Sequence, residues 1–194
     1  ASGNSTNTRT PSSNARSGPN AIAGYRHLLV GVGADIERVV VVGHPTLSRP
    51  VTALLSRRDV EVVVVTPTAA WVDPGHRADV VADRVLLEDQ DPAWLGRWHA
   101  ADSGLEPGEG FTQRHVADAV LAALGSGDDL VLGSSSIIRA ADLSPVSSTP
   151  PRVFANRGLA GIDGTVATAT GIALAGGRPT TVLLGDLTLQ HDLG

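Results

Sequence analysis

The chain contains no cysteine, no methionine and no lysine in 194 residues. Without cysteine, disulfides and thiol chemistry are excluded. Without lysine, so are a P-loop lysine, a Schiff base and a lysine general base. All fifteen basic residues are arginine, the bias that a GC-rich genome produces. The missing methionine, with Ala1 in first place, leads us to expect something other than a complete translation product. Aromatics are only 3 % of residues, so a core must be packed from Val, Ala and Leu, as in α/β proteins with buried parallel strands. No apolar run approaches membrane-spanning length and no signal-peptide core is visible, so the expected location is cytoplasmic. The net charge of −5 comes with no basic block, which argues against a nucleic-acid surface.

What is present is enough for a good core in one or two domains. Residues 1–18 are rich in Ser, Asn and Thr and read as a disordered or loop tail. From Asn20 to Val32 apolar residues recur at helical spacing behind Pro19. A βαβ pattern follows, with strands at Arg38–Val42 and Val60–Val65 around a short helix at Thr46–Ser56. In the junction Gly43–Arg49, His44 or Arg49 is either an anion contact or a solvated loop residue; Arg49 is kept as the candidate. Trp71 is expected to pack down as an anchor, Ala78–Leu87 to hold a third strand, and Pro92–Ala101 to form a helix with Trp94, Leu95 and Trp98 on one face.

The Gly/Pro/acid stretch Ser103–Gly110 reads as a linker, dividing the chain at 19–104 and 105–194. Beyond it, Thr112 is the expected N-cap of a helix reaching Ala123, on which His115 is a packing or surface histidine. A strand at Asp129–Leu132 runs into Gly133-Ser134-Ser135-Ser136, with Arg139 four residues past Ser135. That segment is either an anion site or a serine-rich turn beside a surface arginine.

The most informative stretch runs from Asn156 to Asp192. A glycine turn, Gly161-Ile162-Asp163-Gly164, feeds a small-residue helix from Thr165 to Ala175, and such a helix start suits an anion. After Gly176-Gly177 a short strand, Thr180–Leu184, ends in Gly185-Asp186-Leu187. A strand ending in Gly-Asp puts a carboxylate at the carboxyl edge of a sheet, where open α/β folds bind ligands. Phosphate donors and a cation-seeking Asp186 in one unit suggest a diphosphate held through Mg²⁺. Three strand ends, at Ser134–Arg139, Asn156–Arg157 and Gly185–Asp186, are expected to converge on one crevice.

At this point the chain resembles the thiamine-diphosphate-dependent enzymes and, among them, the menaquinone-pathway synthase branch. The segments that carry the likeness are GHPTLSRP from Gly43, GSSSIIR from Gly133, NRGLAGIDG from Asn156 and GDLTLQHD from Gly185. The last two in tandem are the specific pair. The resemblance implies an α/β fold: a Rossmann-like central domain, followed by the first half of a thiamine-diphosphate-binding domain, both built on mostly parallel sheets. It implies thiamine diphosphate and Mg²⁺ as cofactors, 2-oxoglutarate and isochorismate as substrates, and a parent that is a homodimer or tetramer. Carried over by position, Asp186 resembles the Mg²⁺ ligand, with Gly185 and Leu187 shaping the diphosphate loop. Ser134 and Ser135 resemble residues beside the cofactor and substrate, while Arg139 and Arg157 resemble arginines that hold substrate carboxylates. Ile162 resembles the apolar wedge under the bent cofactor, and Asp163 is expected to cap the helix after it. The resemblance also places the cofactor-activating glutamate and the remaining Mg²⁺ ligands outside this chain, which alone is expected to be inactive. Two other readings stay open: another thiamine-diphosphate decarboxylase or carboligase, and a non-catalytic Rossmann-like nucleotide-binding or regulatory module.

Overall fold

The computed structural model describes residues 18–43, 48–66, 71, 73, 75–86, 91–105, 108–156 and 161–192. The chain is α/β with parallel sheets, as expected, and divides into two compact units, one spanning Gly24–Glu106 and the other containing Pro107–Gly194.

In the first unit, β1 (Arg38–Val42), β2 (Glu61–Val65) and β3 (Val80–Ala82) form a parallel sheet in that order. Consecutive valines suit a pleated strand, and on β2 Val62 and Val64 point into the core while their neighbours are only half-buried. Between β1 and β2 lies α2 (Arg49–Leu55), which closes a core of Val41, Leu55, Val62 and Val64. Ser48 caps α2, its Oγ accepting the Val51 N–H at 3.4 Å, and Pro50 occupies the first turn, where no backbone donor is needed. The expected start at Thr46 lies outside the described residues. Helix α3 (Pro92–Ser103) is capped by Asp91 and stacks Trp94 edge-on against Trp98, with ring centroids 5.9 Å apart.

Two expectations for this unit need correction. The helix read over Asn20–Val32 is only α1 (Tyr25–Leu28), followed by a 3-10 turn at Val32–Asp35. Gly24 and Gly31 interrupt the pattern and Gly33 follows it, where a Cβ would lie 3.2 Å from the Leu28 carbonyl oxygen. The third strand expected within Ala78–Leu87 is present as the three residues of β3. Trp71 is 47 % exposed, so it does not anchor the loop.

In the second unit, α4 (Gln113–Ala123) begins at the expected cap, Thr112. His115 completes the capping box through Nδ1, which accepts the Thr112 N–H at 3.3 Å; the histidine does the work usually done by Glu or Gln at that position. Then come β4 (Asp129–Leu132), α5 (Ser136–Ala141), β5 (Arg152–Ala155), α6 (Thr165–Gly176), β6 (Thr180–Leu183) and α7 (Asp186–His191). The sheet order is β5-β4-β6, all parallel. β4 is central and buried at every position, with Leu130 and Leu132 in a core that includes Ala117, Ile137, Ala141 and Leu183. From β4 the chain steps to one neighbour and then crosses back to the other. Right-handed crossovers therefore set α5 and α6 on opposite faces. The carboxyl end of β4 is thus a switch point, the place where open parallel sheets leave a crevice.

The amino end of the same sheet is fastened by charge. Asp129, fully buried, accepts two hydrogen bonds at 2.7 Å from Arg152 Nε and Nη2, and Arg178 Nε lies 3.3 Å from its Oδ1. The strand register puts Asp129 opposite both Arg152 and Thr180, so this cluster ties all three strands at one end and leaves the other end open.

Candidate functional site

The open end is assembled from glycines and hydroxyls. β4 passes into Gly133, whose N–H donates to the Leu183 carbonyl at 2.9 Å. A Cβ there would lie 2.9 Å from the Leu184 Cβ, so the close approach of these two strand ends requires glycine. Ser134 Oγ donates to the Asn156 carbonyl at 2.6 Å, joining the end of β4 to the end of β5. Asn156 in turn offers Nδ2 to Thr168 Oγ1 on α6 at 3.3 Å. Ser135 is the N-cap position of α5, yet its side chain makes no capping bond. Its Oγ is buried and has no hydrogen-bond partner among the described residues. Across from it, a Cβ on Gly185 would sit 3.5 Å from that oxygen. The ends of β4, β5 and β6 are therefore adjacent, and Ser135 and Gly185 face each other.

Asp186 begins α7 and is exposed, as is Leu187 at 62 %. Thr188, 1 % exposed, is the buried residue of this helix. Arg139 is exposed in the last turn of α5. Ile162 is half-buried just ahead of α6, and its carbonyl accepts from Thr165 Oγ1 at 3.4 Å. Arg157 lies outside the described residues, and so does His44. Arg49 is in the other unit, exposed at the first position of α2. Among the described residues no group of three or more metal-ligating side chains is found, so Asp186 stands as a single carboxylate.

Two expectations change here. Asp163 does not cap α6: the N-cap position is Gly164 at φ 73°, with no side-chain bond, and Asp163 is 81 % exposed. The anion expected at the start of α6 is supplied by the chain itself. Asp192 accepts the Gly164 N–H on Oδ1 at 2.7 Å and the Val166 N–H on Oδ2 at 2.6 Å. The Val166 and Gly164 amides hold its carboxyl below the usual aspartate range, with the Val166 bond the larger cause. Residue-by-residue reading of the GDLTLQHD motif did not assign Asp192. No local signal in the sequence pointed to it, because Asp163 already offers a capping carboxylate beside the helix start.

A parallel α/β sheet with a glycine-lined, hydroxyl-bearing edge at its switch point is an open sheet of the doubly wound type, the arrangement in which such folds leave a crevice. No family model matches the chain. Curated relatives do. The chain is 48 % identical to the 2-succinyl-5-enolpyruvyl-6-hydroxy-3-cyclohexene-1-carboxylate synthase of Renibacterium salmoninarum, an alignment covering 95 % of the chain and 35 % of that protein. It is 45 % identical to the synthase of the same name from an Arthrobacter species, covering 95 % and 34 %. For the one from Paenarthrobacter aurescens the identity is 47 %, covering 95 % and 36 %. The resemblance read in the sequence motifs is thereby shown over nearly the whole chain. The chain spans about a third of the length of these relatives.

Can the residues of this edge hold a diphosphate and its metal? The buried Ser135 hydroxyl, which has no partner among the described residues, supports that fit, because it is a hydrogen-bond donor of the kind an oxyanion takes, at the edge where the strand ends meet. The exposed carboxylate of Asp186 is a hard oxygen ligand of the kind Mg²⁺ takes.

Proposed function

We propose that this chain is part of a thiamine-diphosphate- and Mg²⁺-dependent transferase of menaquinone biosynthesis, acting in the cytoplasm. That enzyme decarboxylates 2-oxoglutarate and adds the resulting succinyl unit to isochorismate. On this reading residues 19–104 are the central Rossmann-like domain and residues 105–194 the first half of the diphosphate-binding domain. The observation that carries it is the Ser135 hydroxyl, buried against Gly185 at the switch point of the sheet without a partner among the described residues. The names and identities of the relatives support the same assignment.

When bound, thiamine diphosphate supplies the carbon nucleophile and the electron sink that decarboxylation and carbon–carbon bond formation need. The protein's part is placement. Asp186 holds the metal, Gly185 and Leu187 shape the turn around the diphosphate, and Ile162 presents an apolar side chain to the cofactor. Ser134 is spent on the Asn156 carbonyl and so fixes the strand ends, which leaves Ser135 to donate to bound oxygen. Arg139 and Arg157 hold carboxylates of the two anionic substrates, for which a guanidinium fork is better suited than an ammonium. Arg49, on the other unit, meets a substrate or effector anion.

Ser135→Ala separates binding from stability. Removing a buried hydroxyl that has no partner relieves a desolvation cost, so the variant is expected to be as stable as the parent or more so, by up to about 1 kcal/mol. In a full-length synthase carrying this segment, the same change should weaken cofactor or substrate binding by about ten-fold, the worth of one lost hydrogen bond to a charged group. Thermal melts paired with binding titrations check both. A variant that melts markedly lower with unchanged binding would assign Ser135 to the scaffold instead.

A further inference from the structure

α7 is a six-residue helix and about 9 Å long, too short to hold its own conformation in water. Its orientation must come from what fastens it. Thr188 anchors its middle by burial. Its far end is held by Asp192, whose two carboxylate oxygens each take a backbone N–H from the start of α6, at 2.7 Å from Gly164 and 2.6 Å from Val166. These are charge-assisted bonds to the positive end of a twelve-residue helix, the stronger class of hydrogen bond. Beside them, His191 Nδ1 lies 3.2 Å from Asp163 Oδ1, an exposed contact that adds little. The residues joined are informative. Asp192 closes the helix that Gly185 and Asp186 open, and Gly164 directly follows Ile162 and Asp163.

We propose that Asp192 is a positioning residue: by clamping the end of α7 to the start of α6, it fixes the Gly185–Asp186 turn and the Ile162 segment in one arrangement. The inference rests on the reading of Asp186 as a metal ligand only for its functional consequence; the clamp itself is a matter of two helices. Without the clamp, the far end of α7 would keep only the exposed His191–Asp163 contact among the described ion pairs, and a helix so short transmits any swing of its end to Asp186. Residues that orient a metal ligand from outside the coordination shell change metal affinity by about ten-fold or more.

The test uses two proteins. In this chain, amide hydrogen exchange is followed for the wild type, Asp192→Asn and Asp192→Ala. The clamp predicts faster exchange at Gly164 and Val166 and also, at a distance, at Leu189, whose N–H donates to the Gly185 carbonyl at 3.1 Å, with β4 amides unchanged. Asparagine keeps one acceptor oxygen and should fall between the other two. Exchange that rises at Gly164 and Val166 but not at Leu189 would reduce Asp192 to a helix cap and overturn the proposal. In a full-length synthase carrying the segment, Asp192→Ala should raise the Kd for Mg²⁺ with thiamine diphosphate about ten-fold, and Asp192→Asn less. An unchanged Kd would likewise overturn it. Asp186→Ala serves as the control that separates the two ideas, since it should leave exchange at Gly164 and Val166 in place while removing metal-dependent binding. If the unsubstituted synthase fails to bind the cofactor at all, the functional reading falls, whereas the exchange result still decides the clamp.

Discussion

Replacing Asp129 with alanine is expected to destabilise the C-terminal unit by about 3 kcal/mol, the usual cost of stranding the partners of a buried ion pair. The carboxylate is fully buried at the amino end of the central strand and is shared by Arg152, in a two-bonded fork, and Arg178. Arg178 Nη2 also reaches the Ser126 and Asp128 carbonyls, so the cluster closes the loops at that end of the sheet. Both arginines are partly exposed and recover some hydration when the carboxylate is lost, which keeps the cost from rising further. The pH dependence has a definite sign. Bonds from Arg152 hold the Asp129 carboxyl below its ordinary range. Its stabilising contribution is therefore complete above the unfolded value of about 3.9, and is lost as pH falls through the lower folded value. Denaturant titrations at neutral pH and near pH 3 should show a steep acid loss in the wild type and a flatter profile in Asp129→Asn. Asp192 is depressed in the same direction and adds to the acid loss.

Gly133→Ala is the second large effect. The added Cβ would lie 2.9 Å from the Leu184 Cβ and 3.2 Å from its Cα, and neither atom can swing aside as the tip of a long side chain does. The ends of β4 and β6 must part, at a cost of about 2 kcal/mol. The damage falls where Ser135 faces Gly185, so a loss of cofactor binding should accompany the drop in Tm. Retained binding in a destabilised variant would show that the separation of these two strand ends is not critical to the site.

Much of the scaffold was legible because its strands are valine-rich or apolar runs bounded by Gly, Pro and Asp. β1, β2, β4 and β6 fall within a residue or so of where the pattern puts them. The helices capped by Thr112 and introduced by Pro92 were legible for the same local reasons. Short helices were not. α5 and α7 have six residues each, fewer than two turns, so no apolar period can establish itself and the segments read as loops. Conversely, apolar residues at helical spacing over Asn20–Val32 overstated the helix, because Gly24 and Gly31 outweigh the pattern. At the site, the types of residue and their strand-end positions could be read directly. The partners could not: Ser134 is engaged and Ser135 is not, although the two are chemically identical neighbours. The cap of α6 comes from 26 to 28 positions away, and no local rule finds it.

The most direct measurement is a calorimetric titration of thiamine diphosphate with Mg²⁺ into this chain and into a full-length synthase carrying it, each beside its Asp186→Ala form. The account predicts metal-dependent binding by the full-length protein, its loss on Asp186→Ala, and weak or absent binding by the chain alone. A full-length protein that ignores thiamine diphosphate, or binds it equally well without the Asp186 carboxylate, would contradict the account and favour a nucleotide-binding or regulatory α/β module.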